Sequence, residues 1–169
     1  AASHRLQQQG YTICRFDCVG AGDSEGDSHY TTIYGEIEDT KVVLHWIEGQ
    51  LKPEKFMILG YSMGAIVTSV LCHEVPLEGI LLWSPFLVGL VAPETIPLAA
   101  IRDFKKPLRL IQGDGDKDVP VYNSGRYEET VPGALRHVVP GATHGYDKVS
   151  WQEELLEYTM IYVKDIMGD

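Results

Sequence analysis

Apolar runs with the character of strands alternate along the chain with stretches of helical periodicity. Most of these runs end in turns rich in glycine and aspartate, and helical patterns follow most of the turns. The predicted strands are residues 11–16, 55–59, 79–83, 108–112 and 134–139. The predicted helices are residues 36–47, 63–72, 122–130 and 150–167, the last with a capping box formed by Ser150 and Glu153. Short strands that alternate with helices predict the α/β class, with a mostly parallel sheet and helices on both faces.

Length and charge narrow the class of protein. The 169 residues are 44% hydrophobic, which fits one domain over residues 1–169 and excludes a disordered chain. The net charge of −10 argues against nucleic-acid binding, because a protein that binds phosphates needs a basic face. No apolar run reaches the roughly 18 residues of a membrane span. We therefore expect neither a nucleic acid nor a membrane as partner.

The cysteines indicate the compartment. Cys14 and Cys18 lie in or beside a predicted strand, where four residues span about 13 Å, which is too far for a disulfide. With Cys72 they make an odd set of three thiols, which suits a reducing environment. We therefore expect a cytoplasmic protein. No Cys-x-x-Cys pair or histidine-rich cluster indicates a metal site.

The sharpest motif is Gly60-Tyr61-Ser62-Met63-Gly64, a G-x-S-x-G sequence between a predicted strand and a predicted helix. This is the context of a nucleophile elbow, which lifts a serine hydroxyl out of the sheet at the start of a helix. The turn is so tight that we expect a Cβ at either flanking glycine to clash. The pattern predicts Ser62 as the nucleophile, with the backbone N–H of Met63 facing a developing oxyanion.

A nucleophilic serine needs a base, and the base needs an acid to orient it. In this architecture the acid and then the histidine follow the serine along the chain. Three carboxylates, Asp114, Asp116 and Asp118, follow the predicted strand 108–112, and His144 follows the strand 134–139. Both turns lie at the carboxyl ends of predicted parallel strands, where such sheets bind ligands. His144 is therefore the candidate base, and one of the three aspartates is the candidate acid.

The same three aspartates also fit the start of a calcium-binding loop. Such a loop needs glycine at its sixth position and glutamate at its twelfth. Val119 and Gly125 stand there instead, so we expect no metal.

Together these segments resemble the serine hydrolases of the α/β-hydrolase superfamily, in particular cinnamoyl/feruloyl esterases and serine aminopeptidase-like hydrolases. The resemblance is carried by residues 10–27, 59–64, 110–121 and 140–145. It implies Asp116 as the acid, because Gly113 and Val119-Pro120 bracket it in the family pattern G-x-x-D-x-x-V-P. Asp118 is the rival and Asp114 a more distant alternative. The histidine of the family matches His144.

The resemblance also bears on the surroundings of the site. The glycine-rich loop 17–26 lacks the third glycine of a dinucleotide fingerprint, and it corresponds to a structural turn of the family. Tyr61, Phe86 and Leu87 are candidates for the substrate pocket, although core packing suits Phe86 and Leu87 equally well. Between Pro85 and Pro107 the family carries a lid, and here only a short apolar segment remains, so we expect a minimal lid.

The family's third strand, with the His-Gly loop that donates a second oxyanion N–H, has no counterpart upstream of the elbow. We expect a sheet without its N-terminal strands, either because the chain is a segment of a longer hydrolase or because residues 11–16 pair directly with residues 55–59. In the second case Met63 alone serves the oxyanion. An exposed sheet edge also favours a homo-oligomer.

These observations predict a serine hydrolase that cleaves small carboxylic esters through an acyl-enzyme on Ser62, with His144 as base and Asp116 as orienting acid. The chemistry needs no cofactor and no metal, and the expected partner is a small-molecule ester. The alternative is a catalytically weak or inactive binding module of the same fold, because the upstream oxyanion loop is missing.

Overall fold

The computed structural model describes residues 2–27, 32–87 and 95–168. In these ranges the strands are β1 (Met57–Tyr61), β2 (Gly79–Trp83), β3 (Leu108–Gly113) and β4 (Leu135–Val139). The helices are α1 (Ala2–Gln8), α2 (Ile33–Trp46), α3 (Gly64–Val70), α4 (Thr95–Ile101), α5 (Tyr122–Thr130) and α6 (Val149–Met167), and α2 continues into a π-helical turn over Ile47–Leu51.

The four strands form one parallel sheet in the order β1-β2-β3-β4. Tyr61 pairs with Trp83, and Gly113 pairs with Val139, so the strands end together along one edge. The predicted α/β class with a parallel sheet is therefore confirmed. Because the carboxyl ends meet at this edge, the loops that leave it are brought close together.

Helices cover both faces of the sheet. Side chains alternate across β2, so that Ile80 and Leu82 face one core and Leu81 faces the other. The first core is completed by residues of α2, α3, α4 and α5. The second is completed by residues of α1 and α6, among them Leu6 and Val163. The sheet is thereby buried from both sides, as expected for parallel strands.

The strand predicted at residues 11–16 is not formed. This segment is neither helix nor strand, and it does not pair with β1. Tyr11 and Ile13 pack against the second core, whereas the side chains between and after them are exposed. The alternation of apolar and polar residues therefore reflects the packing of one side of this segment against the core. A β-strand also requires a neighbouring strand to hydrogen-bond with, and an apolar–polar pattern within one segment does not provide that neighbour.

The boundaries of the four predicted helices agree with the structure to within a few residues. Two other features differ from the prediction. The capping box at Ser150 is wrong, because α6 already begins at Val149 with Lys148 at its N-cap and no side-chain cap. The short helices α1 and α4 were not expected from the pattern. The expected minimal lid falls on α4 and on residues 88–94, and the latter lie outside the described residues.

Among the helices in the described part of the chain, none combines the length and apolarity needed to cross a bilayer. All three cysteines are free thiols, Cys14 exposed and Cys72 buried.

Candidate active site

The site is built around Ser62 at the turn from β1 into α3. Ser62 has a φ of 54°, the left-handed conformation of a strained turn. Its N–H donates to the carbonyl oxygen of Trp83 over 3.0 Å, and its own carbonyl accepts from the N–H of Phe86 over 3.2 Å. The backbone of the nucleophile is therefore tied to the end of β2, so its unusual conformation is held in place.

Of the two glycines that flank Ser62, only Gly60 lies where a Cβ would clash with neighbouring atoms. A Cβ on Gly60 would lie 2.6 Å from the carbonyl oxygen of Gly64 and 2.6 Å from Oγ1 of Thr68. A Cβ on Gly64 would meet no atom within 4 Å. The expected clash at Gly64 is therefore wrong, because the turn closes over the strand side and leaves the start of the helix open.

The structure brings Ser62, His144 and Asp116 into one line of hydrogen bonds. His144 Nε2 lies 3.0 Å from Ser62 Oγ, and His144 Nδ1 lies 2.8 Å from Asp116 Oδ2. Because a carboxylate only accepts, Nδ1 donates to Asp116, which leaves Nε2 of the neutral ring as acceptor for the serine hydroxyl. This geometry allows a proton to pass from the serine to the imidazole.

Asp116 is held by donors on both carboxylate oxygens. Its side chain is fully buried. Oδ1 accepts from the backbone N–H groups of Asp118 (2.9 Å) and Val119 (2.8 Å), and Oδ2 accepts from Nε2 of Gln112 over 3.2 Å as well as from His144. These hydrogen bonds compensate the burial of the carboxylate, and the backbone N–H groups of its own loop orient the carboxylate towards His144.

The rival aspartates serve other purposes. The side chain of Asp118 is exposed, and its contribution to the site is the backbone N–H given to Asp116. Asp114 accepts from the N–H of Gly141, which joins the loop after β3 to the loop that carries His144. Gln112 was not identified from the sequence. The available signal was a polar residue inside an otherwise apolar strand, and Gln112 is fully buried there.

Tyr61 contacts His144. Its hydroxyl donates to the carbonyl oxygen of His144 over 2.8 Å, and the two rings stack with centroids 5.1 Å apart and planes at 22°. Burial and the negative charges of Asp116, Asp147 and Asp118 raise the pKa of the Tyr61 hydroxyl, so it is protonated and able to donate at neutral pH.

The other candidates for the substrate pocket lie against the core. Leu87 is buried in the first core, and Phe86 is half-buried and packs against it. The side chain of Met63 is 40% exposed beside the serine. Within the described part of the chain, the Met63 N–H donates no hydrogen bond to another backbone group.

A buried tyrosine connects the strand ends beneath the site. Tyr146 follows His144 by two residues and has a φ of 50°. Its hydroxyl lies 3.3 Å from Oγ of Ser84, which is fully buried after β2. Burial raises the pKa of Tyr146 to about 12, with the hydrogen bond to Ser84 opposing the rise and the charge of Asp116 adding to it. Neither residue was identified from the sequence.

Asp116, Asp118 and His144 present possible metal-ligand atoms within 4.8 Å of one another. Both oxygens of Asp116 already accept N–H donors, and Nδ1 of His144 is one of those donors. A cation would have to displace these hydrogen bonds. The arrangement therefore suits proton transfer better than metal binding.

The loop over residues 17–26 closes on itself. Oγ of Ser24 donates to the carbonyl oxygen of Asp17 over 2.7 Å, and the N–H of Gly20 donates to the carbonyl oxygen of Glu25 over 3.0 Å. The N–H of Val19 donates to Asp39 of α2 over 2.8 Å. These contacts agree with the interpretation of the loop as a structural turn.

Comparison with known proteins gives a family and a fold. The family described as "Serine aminopeptidase, S33" matches residues 1–102. No curated protein matches the sequence.

Several solved structures are similar. An alpha-beta serine hydrolase homologue from Coxiella burnetii is 24% identical with a TM-score of 0.76, and the match covers 92% of this chain and 71% of that one. Est1E from Butyrivibrio proteoclasticus with bound ferulic acid is 17% identical with a TM-score of 0.74, covering 90% and 76%. Paleococcus ferrophilus monoacylglycerol lipase is 16% identical with a TM-score of 0.79, covering 98% and 88%. At these identities the similarity shows a shared fold.

Proposed function

Because the chain belongs to the serine aminopeptidase S33 family of hydrolases, we propose that it is a serine hydrolase that cleaves small carboxylic esters through an acyl-enzyme on Ser62. The observation that carries the proposal is the line of hydrogen bonds from Ser62 through His144 to the buried carboxylate of Asp116. Few other roles require a strained serine, a histidine and a buried acid in that order.

In the first half of the reaction, Oγ of Ser62 attacks the ester carbonyl while its proton passes to Nε2 of His144 over 3.0 Å. Asp116 holds the ring in the required tautomer and stabilises the imidazolium that forms. The backbone N–H of Met63 donates to the developing oxyanion. When the tetrahedral intermediate collapses, the ester C–O bond breaks and His144 returns its proton to the departing alcohol.

In the second half, water takes the place of the serine hydroxyl. It loses a proton to Nε2 of His144 and attacks the acyl carbonyl, and the bond from the acyl carbon to Ser62 Oγ then breaks with return of the proton to the serine. The cycle needs no metal or cofactor, because a side chain of this chain donates or accepts every proton.

An ester is favoured over an amide by the similar structures. One of them was solved with ferulic acid, and another is named as a monoacylglycerol lipase. We place the protein in the cytoplasm on the basis of its three free thiols. A small-molecule ester is its proposed partner, and the strand β1 at one edge of the sheet favours self-association.

Hydrolysis of a short-chain p-nitrophenyl ester tests the proposal. Ser62→Ala is expected to lower kcat/KM by about 10⁴-fold or more, while the matched control Ser150→Ala, at an exposed position of α6, keeps the wild-type rate. A fluorophosphonate should label the wild-type chain and leave Ser62→Ala unlabelled. Equal rates for the wild type and Ser62→Ala would overturn the proposal and favour the inactive binding module.

A further inference from the structure

We propose that Tyr61 is a positioning residue that holds the His144 ring in the plane joining Ser62 to Asp116. This inference rests on the proposed function, because it assigns Tyr61 a part in the same catalytic unit.

The two contacts of Tyr61 restrain different motions of His144. The hydrogen bond from the Tyr61 hydroxyl to the carbonyl oxygen of His144 holds the backbone of the loop after β4. The stacked ring lies against one face of the imidazole. The hydrogen bonds to Ser62 and Asp116 act in the plane of the imidazole and resist tilting only weakly. The stack supplies the restraint out of that plane.

The placement of Tyr61 explains how it reaches this loop. It is the last residue of β1, directly before the nucleophile, and His144 lies 82 residues beyond Ser62. The histidine side chain is 21% exposed in a turn, and the Tyr61 ring stacks against it. Tyr61 thus connects the base to the strand that leads into the nucleophile. The distance between His144 Nε2 and Ser62 Oγ therefore depends on this connection.

A purely substrate-lining role fits these contacts less well. Tyr61 is 42% exposed, as a pocket wall would be. Its polar end is already engaged with the backbone of His144, and its ring face is turned to the imidazole. Both of these contacts are directed at the base, and the ring also makes an edge-to-face contact with Trp83, with centroids 6.4 Å apart.

The two contacts can be separated by two substitutions. Tyr61→Phe removes the hydroxyl and keeps the ring, whereas Tyr61→Leu removes both. Tyr34→Phe is the control, since it removes a hydroxyl from a tyrosine that is 62% exposed on α2. The assay uses the same p-nitrophenyl ester, with kcat and KM measured separately for each variant.

We expect Tyr61→Phe to lower kcat by about three- to tenfold with little change in KM, as the loss of one hydrogen bond allows. Tyr61→Leu is expected to lower kcat further.

A second readout does not depend on turnover. The proton on His144 Nδ1, shared with Asp116, should give a downfield proton resonance that is retained in Tyr61→Phe and broadened in Tyr61→Leu. A raised KM with unchanged kcat in both variants would overturn the inference and make Tyr61 a pocket wall. If the wild type showed no hydrolysis dependent on Ser62, the proposed function would fail, and an unaltered resonance in Tyr61→Leu would then overturn the positioning role separately.

Discussion

Gly60 lies against Thr68 so closely that the strand entering the elbow has no room for a side chain. A Cβ on Gly60 would lie 2.6 Å from the threonine Oγ1 and equally close to the carbonyl oxygen of Gly64. The second of these atoms belongs to the backbone and cannot move without distorting the turn. Gly64, which has the same spacing from Ser62 in the sequence, is under no such restriction.

Alanine at these two glycines should therefore have opposite effects on stability. Gly60→Ala is expected to lower the free energy of unfolding by about 2 kcal/mol or more through overpacking against backbone. Gly64→Ala should raise it by up to about 1 kcal/mol, because alanine suits the first turn of α3 better than glycine. Urea unfolding at constant m-value measures both. Equal losses in the two variants would show that the turn closes on both sides.

Substitution of the two rival aspartates should separate the catalytic acid from its neighbour. Asp116→Asn is expected to lower kcat by about 10⁴-fold, because an amide facing Nδ1 favours the wrong tautomer of His144. Asp118→Asn keeps the backbone N–H that donates to Asp116 and should stay within about twofold of the wild type. Ester hydrolysis by the two folded variants measures the difference. A larger loss in Asp118→Asn would assign the acid to Asp118.

The residues of the proposed triad could be predicted because each follows a strand of the sheet. In parallel strands the carboxyl ends meet at one edge, so Ser62, Asp116 and His144 come together once the strands are identified. The choice of Asp116 among the three aspartates came from the family resemblance, and in the structure the loop after β3 donates two backbone N–H groups to this residue.

Contacts that depend on the packing of distant side chains could not be predicted. The hydrogen bond from Tyr61 to His144 joins residues that are far apart in the chain, and no local sequence pattern at either residue indicates the other. The segment over residues 11–16 shows the same limit, because its alternating pattern reports burial of Tyr11 and Ile13 and carries no information about a neighbouring strand. At α6 the capping pattern named Ser150, whereas the helix begins one residue earlier.

Gln112 should matter for stability because its amide donates twice in the interior. Nε2 donates to Asp116 Oδ2 over 3.2 Å and to the carbonyl oxygen of Val119 over 3.0 Å. Gln112→Met has a similar volume and leaves both acceptors without this donor, so we expect the free energy of unfolding to fall by about 1–3 kcal/mol. Thermal and urea unfolding measure the change.

A second substitution at Gln112 tests the electrostatic part of this account. Gln112→Glu sets a carboxylate against Asp116 and should be more destabilising at pH 7 than at pH 5, where a protonated glutamate can donate as the amide does. Gln152→Met, at an exposed position of α6, is the control for losing an amide. A Gln112→Met variant as stable as this control would contradict the prediction.

Tyr146 should make the stability of the protein fall at alkaline pH. Its pKa is raised to about 12 by burial, whereas an unfolded tyrosine titrates near 10. The stabilisation is therefore complete below pH 10 and is lost as the pH rises towards 12, because the unfolded chain releases its proton first. The loss should reach roughly 1–2 kcal/mol by pH 11.

Tyr146→Phe lacks this titration, so its stability should approach that of the wild type as the pH rises from 9 to 11. Tyr34→Phe removes an exposed hydroxyl and should follow the wild-type curve in parallel. Urea unfolding of the three proteins across this range measures the effect, and a constant gap between the wild type and Tyr146→Phe would contradict it.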